Sequence, residues 1–217
     1  PCEIDRICDI CARHSIAVVE DAAESLGSFY KNRHTGTFGK FGITSFNGNK
    51  IVTAGGGGAI LTDDPQLAAQ AKHITTTAKI PHKWEFVHDQ LGYNYRMPNL
   101  NAALLCAQLE HLDGYIANKR QTAKQYQAFF DSIGLECIVE PPDSVSNYWL
   151  NGVLFSSLQE RNAFLEAATA ADIFVRPAWK LLNKLPFYTD SPHSDLTLAE
   201  FITDRLVMLP SSVTAQG

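Results

Sequence analysis

Several features that mark particular classes of protein are scarce or missing in this sequence. Basic residues are too few to give a positive charge, since 18 lysines and arginines stand against 23 aspartates and glutamates and the net charge is −5. Proteins that bind nucleic acid neutralise phosphates with basic residues, so this balance argues against that class. No apolar run approaches the length that spans a bilayer. We therefore expect neither nucleic acid nor a membrane as a partner.

Cysteine is also scarce, and its distribution argues against a disulfide framework. The five cysteines are odd in number and scattered along the chain, which favours reduced thiols and a cytoplasmic protein. The spacing of Cys8, Cys11 and His14 is compatible with part of a zinc site. The second paired half of a zinc motif is absent, so we interpret these cysteines as apolar residues that face a sheet, and we expect no metal.

The chain has the composition of a globular protein, with 45% hydrophobic and 19% charged residues over 217 positions. That length fits one large or two small domains. Periodicity predicts helices at 3–14, 65–76, 99–112, 115–133, 158–171 and 196–205, and strands at 16–19, 43–46, 59–62, 135–139, 148–155, 173–175 and 206–209. Segment 31–36 is predicted as a surface loop and segment 78–90 as a long irregular loop.

Three of the predicted strands bring reactive side chains to neighbouring positions. The apolar run at 16–19 leads into Asp21, and the run at 43–46 carries Ser45 just before Lys50. The third strand follows four consecutive glycines at 55–58. Open α/β sheets bind ligands at the carboxyl ends of their strands. We therefore expect an acid, a hydroxyl and a lysine to lie together beside backbone without side chains.

Pyridoxal phosphate (PLP) requires this set of groups. A lysine amine forms a Schiff base with the cofactor aldehyde, and a carboxylate keeps the pyridine nitrogen protonated so that the ring accepts electrons. Hydroxyl and backbone N–H groups hold the phosphate. Glycines allow the chain to approach the cofactor closely.

The order of these strings resembles that of the DegT/DnrJ/EryC1/StrS sugar aminotransferases, which belong to the aspartate aminotransferase fold type. The strings are DAAESLG at 21–27, GTFG at 36–39, SFNGNK at 45–50, GGGG at 55–58 and GYNYRM at 92–97. The SFNGNK variant is most similar to enzymes that aminate C4 of a UDP-linked 4-keto-6-deoxy sugar in bacterial glycan pathways.

The resemblance implies an α/β fold in two parts. Residues 1–114 correspond to the C-terminal portion of a PLP-binding fold type I large domain, mainly a parallel sheet with helices. Residues 115–217 correspond to an incomplete small α+β C-terminal domain. Family members have a further N-terminal segment and a last helix, so we expect the chain to be a fragment that is inactive by itself.

The resemblance also implies roles for individual residues. Lys50 binds the aldehyde and moves the proton, whereas the alternative is an exposed lysine after an Asn-Gly turn. Asp21 pairs with the pyridine N–H, or else is an N-cap or an acid at the end of a strand. Ala22 or Ala23 touches the ring face, and Glu24 lies near the ring hydroxyl or the substrate. Metal ligands are not expected among them.

Two further residues are assigned to the phosphate. Ser45 donates to it, unless it is a strand hydroxyl bonded to the backbone. Asn94 reaches the phosphate of the neighbouring subunit, unless it only forms a turn. Four residues are candidates for the lining of a nucleotide-sugar pocket, with surface or core positions as the alternative: His82, Trp84, His88 and Trp179. The role of Arg96 stays open.

These implications combine into one expected function and one alternative. The expected protein is a homodimeric PLP-dependent aminotransferase with sites at the subunit interface. It transfers an amino group from L-glutamate to a nucleotide-linked keto sugar for surface glycan or glycoprotein biosynthesis. The alternative is a non-catalytic fragment or pseudoenzyme that keeps only the fold and the dimer surface. The sequence does not identify the sugar or the carbon that is aminated.

Overall fold

A computed structural model describes residues 1–214. The elements in chain order are α1 (Ile4–Arg13), β1 (Val19–Asp21), β2 (Phe29–Tyr30), β3 (Arg33–His34), β4 (Phe41–Ser45), β5 (Gly58–Leu61), α2 (Pro65–Thr75), β6 (Lys79–Ile80), β7 (Val87–His88), α3 (Asn99–Glu110), α4 (Leu112–Ser132), β8 (Glu136–Cys137), β9 (Ser144–Val145), β10 (Asn151–Leu154), α5 (Leu158–Ala170), β11 (Arg176–Pro177), a 3₁₀ turn (Leu182–Lys184), α6 (Thr197–Thr203) and β12 (Leu206–Leu209).

Contacts within the chain group these elements into two units. Unit 1 contains Pro1–Ile116 and the later segment Glu140–Asn147, and unit 2 contains Ala117–Val139 and the chain from Tyr148 onward. The domains predicted at 1–114 and 115–217 stay a prediction. The segment Glu140–Asn147 is far in sequence from the rest of unit 1, and no local pattern singled it out.

The central sheet of unit 1 has the order β1-β4-β5. β1 and β4 are parallel, with Asp21 opposite Ile43, and β4 and β5 are antiparallel, with Ser45 opposite Gly58. Because parallel strands end at the same edge of a sheet, this register brings the end of β1 and the end of β4 side by side.

The loop between β3 and β4 is held to β1 by a buried carboxylate. Glu20 accepts hydrogen bonds from the backbone N–H groups of Gly36 at 2.7 Å, Phe38 at 2.6 Å and Gly39 at 2.7 Å. Hydrogen bonds to a charged acceptor are stronger than neutral ones, so Glu20 fixes this loop firmly. Gly42 permits the close approach, because a Cβ there would lie 1.8 Å from the carbonyl oxygen of Gly36.

Two hairpins correct the predicted loops. The segment 31–36 contains the turn of the β2–β3 hairpin, and Lys31 and Asn32 both have positive φ, at 48° and 62°. A two-residue turn in which both residues have positive φ matches the right-handed twist of the two strands that it connects. The prediction of an irregular loop at 78–90 is wrong in part, because β6 and β7 pair there. Strands of two residues are too short to show periodicity.

The helices of unit 1 begin and end close to their predicted positions. α2 begins after Asp64, whose Oδ1 accepts the N–H groups of Gln66 at 2.8 Å and Leu67 at 3.1 Å. Pro65 occupies the first helical position, where no N–H is needed. The N-terminal helix at Ile4–Arg13 lies within the predicted range.

Unit 2 contains an antiparallel sheet of order β11-β12-β10-β8. Its core is a single cluster of buried side chains: Phe130, Cys137, Val153, Phe155, Ala168, Val175, Val207 and Leu209. The strand predicted at 173–175 is instead β11, which pairs with β12 at Arg176 and Pro177.

Unit 2 also buries one cation. Lys119 on α4 donates from Nζ to the carbonyl oxygen of Ser211. Desolvation lowers the pKa of Lys119 to about 8. Among the described residues, no helix combines the length and the apolar character that crossing a bilayer would require.

Candidate active site

The carboxyl ends of β1 and β4 carry the first two predicted site residues. Asp21 is the last residue of β1, and Ser45 is the last residue of β4. Gly58, opposite Ser45, begins β5. A Cβ on Gly58 would lie 2.4 Å from the carbonyl oxygen of Thr44, so the close approach of β5 at this edge requires glycine.

A tight turn after β4 presents Lys50. The N–H of Asn47 donates to Ser45 Oγ at 3.3 Å, and the N–H of Lys50 donates to the carbonyl oxygen of Asn47 at 3.1 Å. The buried Phe46 anchors the turn, because its N–H donates to Gly57 and its carbonyl oxygen accepts from Ala54, both at 2.9 Å. The lysine backbone is therefore held on both sides rather than carried by a loose loop.

The side chain of Lys50 forms an ion pair with Glu24 Oε1. Only 12% of the Lys50 side chain is exposed, whereas 43% of the Glu24 side chain is exposed. The ammonium group of Lys50 is thus largely buried, whereas the Glu24 carboxylate that pairs with it is partly exposed to solvent. A narrow pocket surrounds the pair and is lined by Ala23, Glu24, Leu26, Ser45, Lys50, Ile51 and Val52.

Asp21 lies beside this pocket rather than in its lining. Its Oδ1 accepts the N–H of Ala23 at 3.2 Å, and the residue is exposed. Ala22 is buried next to it at 4% exposure. The structure therefore brings four predicted site residues into one pocket, namely Ala23, Glu24, Ser45 and Lys50, and places Asp21 at the adjoining strand end.

Asn94 lies elsewhere in unit 1. It forms an isolated bridge with Thr76, while its neighbours Tyr93 and Tyr95 donate to the carbonyl oxygens of Ile74 and Thr75 at 2.7 and 2.9 Å. The string at 92–97 is therefore bonded to the end of α2. Asn94 is exposed and does not line the pocket of Lys50.

A larger cleft of about 830 Å³ opens between β4, β5, α2 and the residues after Asn94. Its polar lining includes Lys72, Arg96 and Asn101, and the backbone of 56–58 forms one wall. Asn101 Nδ2 donates to the carbonyl oxygen of Ala54, so α3 helps to hold the glycine run.

The histidines and tryptophans considered for a sugar pocket are not gathered around Lys50. His82 contacts Trp84 edge to face at 5.3 Å on the β6–β7 hairpin, and His88 Nδ1 lies 2.7 Å from the carbonyl oxygen of Thr77. Trp179 belongs to unit 2 and stacks on Trp149 with ring centroids 6.5 Å apart. Within residues 1–214, no group of three or more His, Cys, Asp or Glu side chains is arranged to hold a metal ion.

Sequence reasoning missed one residue near the site. Asn147 is 3% exposed, and its Nδ2 donates to the carbonyl oxygens of Glu24 at 2.7 Å and Leu26 at 3.0 Å. More than a hundred residues separate it from Glu24, so no periodicity or motif in the chain could have joined the two.

Similarity to a known family extends over almost the whole chain. The model described as the DegT/DnrJ/EryC1/StrS aminotransferase family matches residues 1–216. The chain belongs to the DegT/DnrJ/EryC1/StrS aminotransferase family. This confirms the resemblance inferred from the strings around Asp21 and Lys50.

Two curated relatives illustrate the match within the DegT/DnrJ/EryC1/StrS family. EpsN of Bacillus subtilis (strain 168) is 34% identical over 214 residues, covering 96% of this chain and 55% of EpsN. GDP-perosamine synthase of Escherichia coli O157:H7 is 33% identical over 211 residues, covering 97% of this chain and 57% of the synthase. The chain thus spans little more than half the length of these relatives.

The fold is shared with solved structures of aminotransferases. PseC of Helicobacter pylori, an aminotransferase involved in the biosynthesis of pseudoaminic acid, superposes with a TM-score of 0.92 at 21% identity, covering 100% of this chain and 60% of PseC. The predicted α/β fold, as part of a fold type I transferase, is therefore confirmed. This similarity of fold does not test the roles that the sequence predicts for individual site residues.

Proposed function

We propose that the full-length protein is a PLP-dependent aminotransferase that acts on a nucleotide-linked sugar. One observation carries the proposal: a largely withdrawn Lys50, paired with Glu24, shares a pocket with the Ser45 hydroxyl at the end of a strand adjacent to Asp21. An acid, a hydroxyl and an amine on adjoining strand ends suit this cofactor and few other ligands.

The residues present fit PLP by their chemistry. Lys50 offers the amine for a covalent bond to the cofactor aldehyde. Asp21 offers a carboxylate that is exposed at the strand end and can receive a pyridine N–H. Ala23 leaves room for a flat ring, and the Ser45 hydroxyl can donate to a phosphate. Asn94, which is exposed, is proposed to reach the phosphate held by a second subunit.

Catalysis by these residues consists of positioning and proton transfer. When bound, PLP supplies a carbonyl that exchanges amino groups and a ring that accommodates negative charge. Lys50 holds a proton at Nζ and moves it to and from the carbon that changes its bonding. Glu24 steadies the protonated Nζ, because its carboxylate forms the ion pair with that atom. Asp21 would offer its carboxylate to the pyridine N–H and so support the electron-accepting ring.

The proposed acceptor is a 4-keto-6-deoxy sugar linked to a nucleotide, and the proposed donor is L-glutamate. GDP-perosamine synthase is named for a nucleotide sugar, and the name of EpsN includes pyridoxal phosphate-dependent aminotransferase. The product would serve surface glycan or glycoprotein biosynthesis. The proposed active form is a homodimer, which is consistent with the exposed apolar side chains of α3, including Leu100 at 87% and Leu104 at 46% exposure.

Covalent trapping tests the proposal directly. The full-length protein is incubated with PLP, reduced with borohydride and digested, and its peptides are mapped by mass spectrometry. The expected pyridoxyl label lies on Lys50, and the label should be lost when L-glutamate and then borohydride are added. A label on another lysine, or none, contradicts the assignment.

The second candidate function is a non-catalytic chain that keeps only the fold. It is favoured by the exposure of Asp21, whose Oδ1 accepts the N–H of Ala23 and which does not line the pocket of Lys50. Titration of PLP into the full-length protein and into the 217-residue chain, each with an assay of amino transfer, distinguishes the two, because only the second candidate predicts no turnover by either. We expect weak binding without turnover by that chain, and tight binding with turnover by the full-length protein.

A further inference from the structure

The segment Glu140–Asn147 is built into unit 1 although the residues on either side of it belong to unit 2. β9 in this segment pairs with β2, with Val145 opposite Phe29 and Ser144 opposite Tyr30. The N–H of Lys31 donates to the carbonyl oxygen of Asp143 at 2.7 Å. Glu140 Oε2 accepts the N–H of Ser146 at 2.7 Å and so stiffens the segment itself.

Asn147, the last residue of the segment, contacts the turn that follows Asp21. Its Nδ2 donates to Glu24 O at 2.7 Å and to Leu26 O at 3.0 Å, while its backbone N–H donates to Ser28 Oγ at 3.0 Å. Asn147 and Ser28 are each 3% exposed. Two hydrogen bonds from this buried residue therefore fix the backbone at Glu24 and Leu26, and a third holds the side chain of Ser28.

The turn held in this way carries the counter-ion of Lys50. The carboxylate of Glu24 extends from the same residue whose carbonyl oxygen accepts from Asn147. The Glu24 side chain is 43% exposed, so its own packing gives it little constraint. Its backbone position is therefore what places the carboxylate beside Nζ.

We infer that Asn147 is a positioning residue, which holds Glu24 so that its carboxylate keeps Lys50 Nζ directed into the pocket. The role of this arrangement in cofactor attachment rests on the proposed function, whereas the arrangement itself does not. Asparagine suits the position because one nitrogen offers two N–H donors to two carbonyl oxygens. Aspartate has the same shape but would oppose both carbonyl oxygens with a negative charge.

The reactivity of Lys50 tests the inference without requiring turnover. The full-length protein without cofactor is treated with trace acetic anhydride, and acetylation of Lys50 is measured by mass spectrometry relative to exposed Lys124. An amine that an ion pair holds inside a pocket is shielded from the reagent and reacts slowly, and the Lys50 side chain is only 12% exposed. Asn147→Asp should raise the Lys50 ratio by about threefold to tenfold, the range expected when a hydrogen bond that sets position is lost. Glu24→Gln should give a similar rise.

Asn151→Asp is the matched control. Asn151 is 5% exposed and its Nδ2 donates to Ser211 Oγ at 3.0 Å within unit 2, so its loss should lower the melting temperature without changing the Lys50 ratio. A folded Asn147→Asp protein whose Lys50 ratio matches that of the unsubstituted protein would overturn the inference. If Asn147→Asp does not fold, the same acetylation ratio of Lys50 to Lys124 is measured in Asn147→Ser, which retains one hydrogen-bond donor.

Labelling with PLP and borohydride adds a second readout that moves in the opposite direction. In Asn147→Asp, Lys50 Nζ is no longer held in place, so pyridoxyl labelling of Lys50 should fall by about threefold to tenfold while its acetylation increases. General unfolding would instead raise both labels at every lysine, and the folded Asn147→Ser variant would then decide between the outcomes. Absence of a Lys50 label in the unsubstituted protein would overturn the proposed function alone, because the acetylation ratios would still decide the role of Asn147.

Discussion

The two units differ in how completely each one covers its own sheet. In unit 2, Val153 and Val207 on adjacent strands are both 0% exposed, because helices and strands of the same unit enclose them. In unit 1, Val19 and Ile60 on the central sheet are 59% and 45% exposed. The residues with proposed chemistry all lie in unit 1. The closed unit is thus expected to dominate stability, and the open unit to dominate function.

The largest expected effect is a loss of activity without a loss of stability when Lys50 in unit 1 is replaced. Lys50→Ala should abolish amino transfer in the full-length protein, because the covalent attachment and the proton carrier are lost together. The melting temperature of the cofactor-free protein should stay close to that of the unsubstituted protein. Lys40→Ala, which removes an exposed lysine ten residues earlier, is the control and should retain activity. Residual turnover by Lys50→Ala would remove the lysine from the mechanism.

A smaller loss is expected at the neighbouring strand end. Asp21→Asn should leave PLP bound but lower kcat by about two to four orders of magnitude, because an amide does not offset a pyridinium charge. Bound cofactor is measured by absorbance and kcat by product formation. Asp63→Asn, at a carboxylate that is 95% exposed, controls for the change of charge. Activity close to normal in Asp21→Asn would exclude a direct role.

The pH dependence of stability should report on unit 2. Desolvation lowers the pKa of Lys119 to about 8 in the folded chain, against about 10.4 for an unperturbed lysine. Between these values the unfolded chain binds more protons, so the free energy of unfolding should rise with pH, by up to about 3 kcal/mol.

Replacing Lys119 by methionine should flatten that rise, because the residue no longer titrates. Lys124→Met changes an exposed lysine on the same helix and should keep the rise. Urea unfolding between pH 7.5 and pH 10.5 measures both. Equal slopes in the two variants would show that other groups cause the dependence.

The smallest expected effects compare the packing of the two units. Val153→Ala should lower the free energy of unfolding by about 2 kcal/mol, because it leaves a cavity in the closed core. Leu100→Ala, at a side chain that is 87% exposed, should cost less than about 0.5 kcal/mol in the 217-residue chain. The same substitution in the full-length protein should cost more if another surface covers α3, so the two measurements together locate the proposed dimer contact.

Local patterns predicted the long elements of this chain well, because caps and periodicity lie within a few residues of one another. α2 was predicted at 65–76 and begins at Pro65, where Asp64 caps its first turn. α4 was predicted at 115–133 and ends at Ser132, shortly before Gly134, whose φ is 77°. The hairpin of β6 and β7 was missed, since two-residue strands leave no pattern.

The candidate site was predicted only where its residues are close in sequence. Lys50 and Ser45 share one string, and their pocket could be anticipated from it. The contacts of Glu20 with the loop at 36–39 and of Asn147 with Glu24 could not, because each depends on how distant segments meet. A single buried asparagine gives no signal in a sequence until its partners are known.

The pairing of β9 with β2 also constrains the order of events during synthesis. Phe29 and Val145 are more than a hundred residues apart, so closing this loop has a high entropic cost that only later contacts offset. The turn bearing Glu24 leaves the ribosome long before Asn147 does. Until Asn147 is available, the carbonyl oxygens of Glu24 and Leu26 accept hydrogen bonds from water instead of from its side chain. The backbone of Glu24 and Leu26, which line the Lys50 pocket, is therefore fixed only after residue 147 has been synthesised.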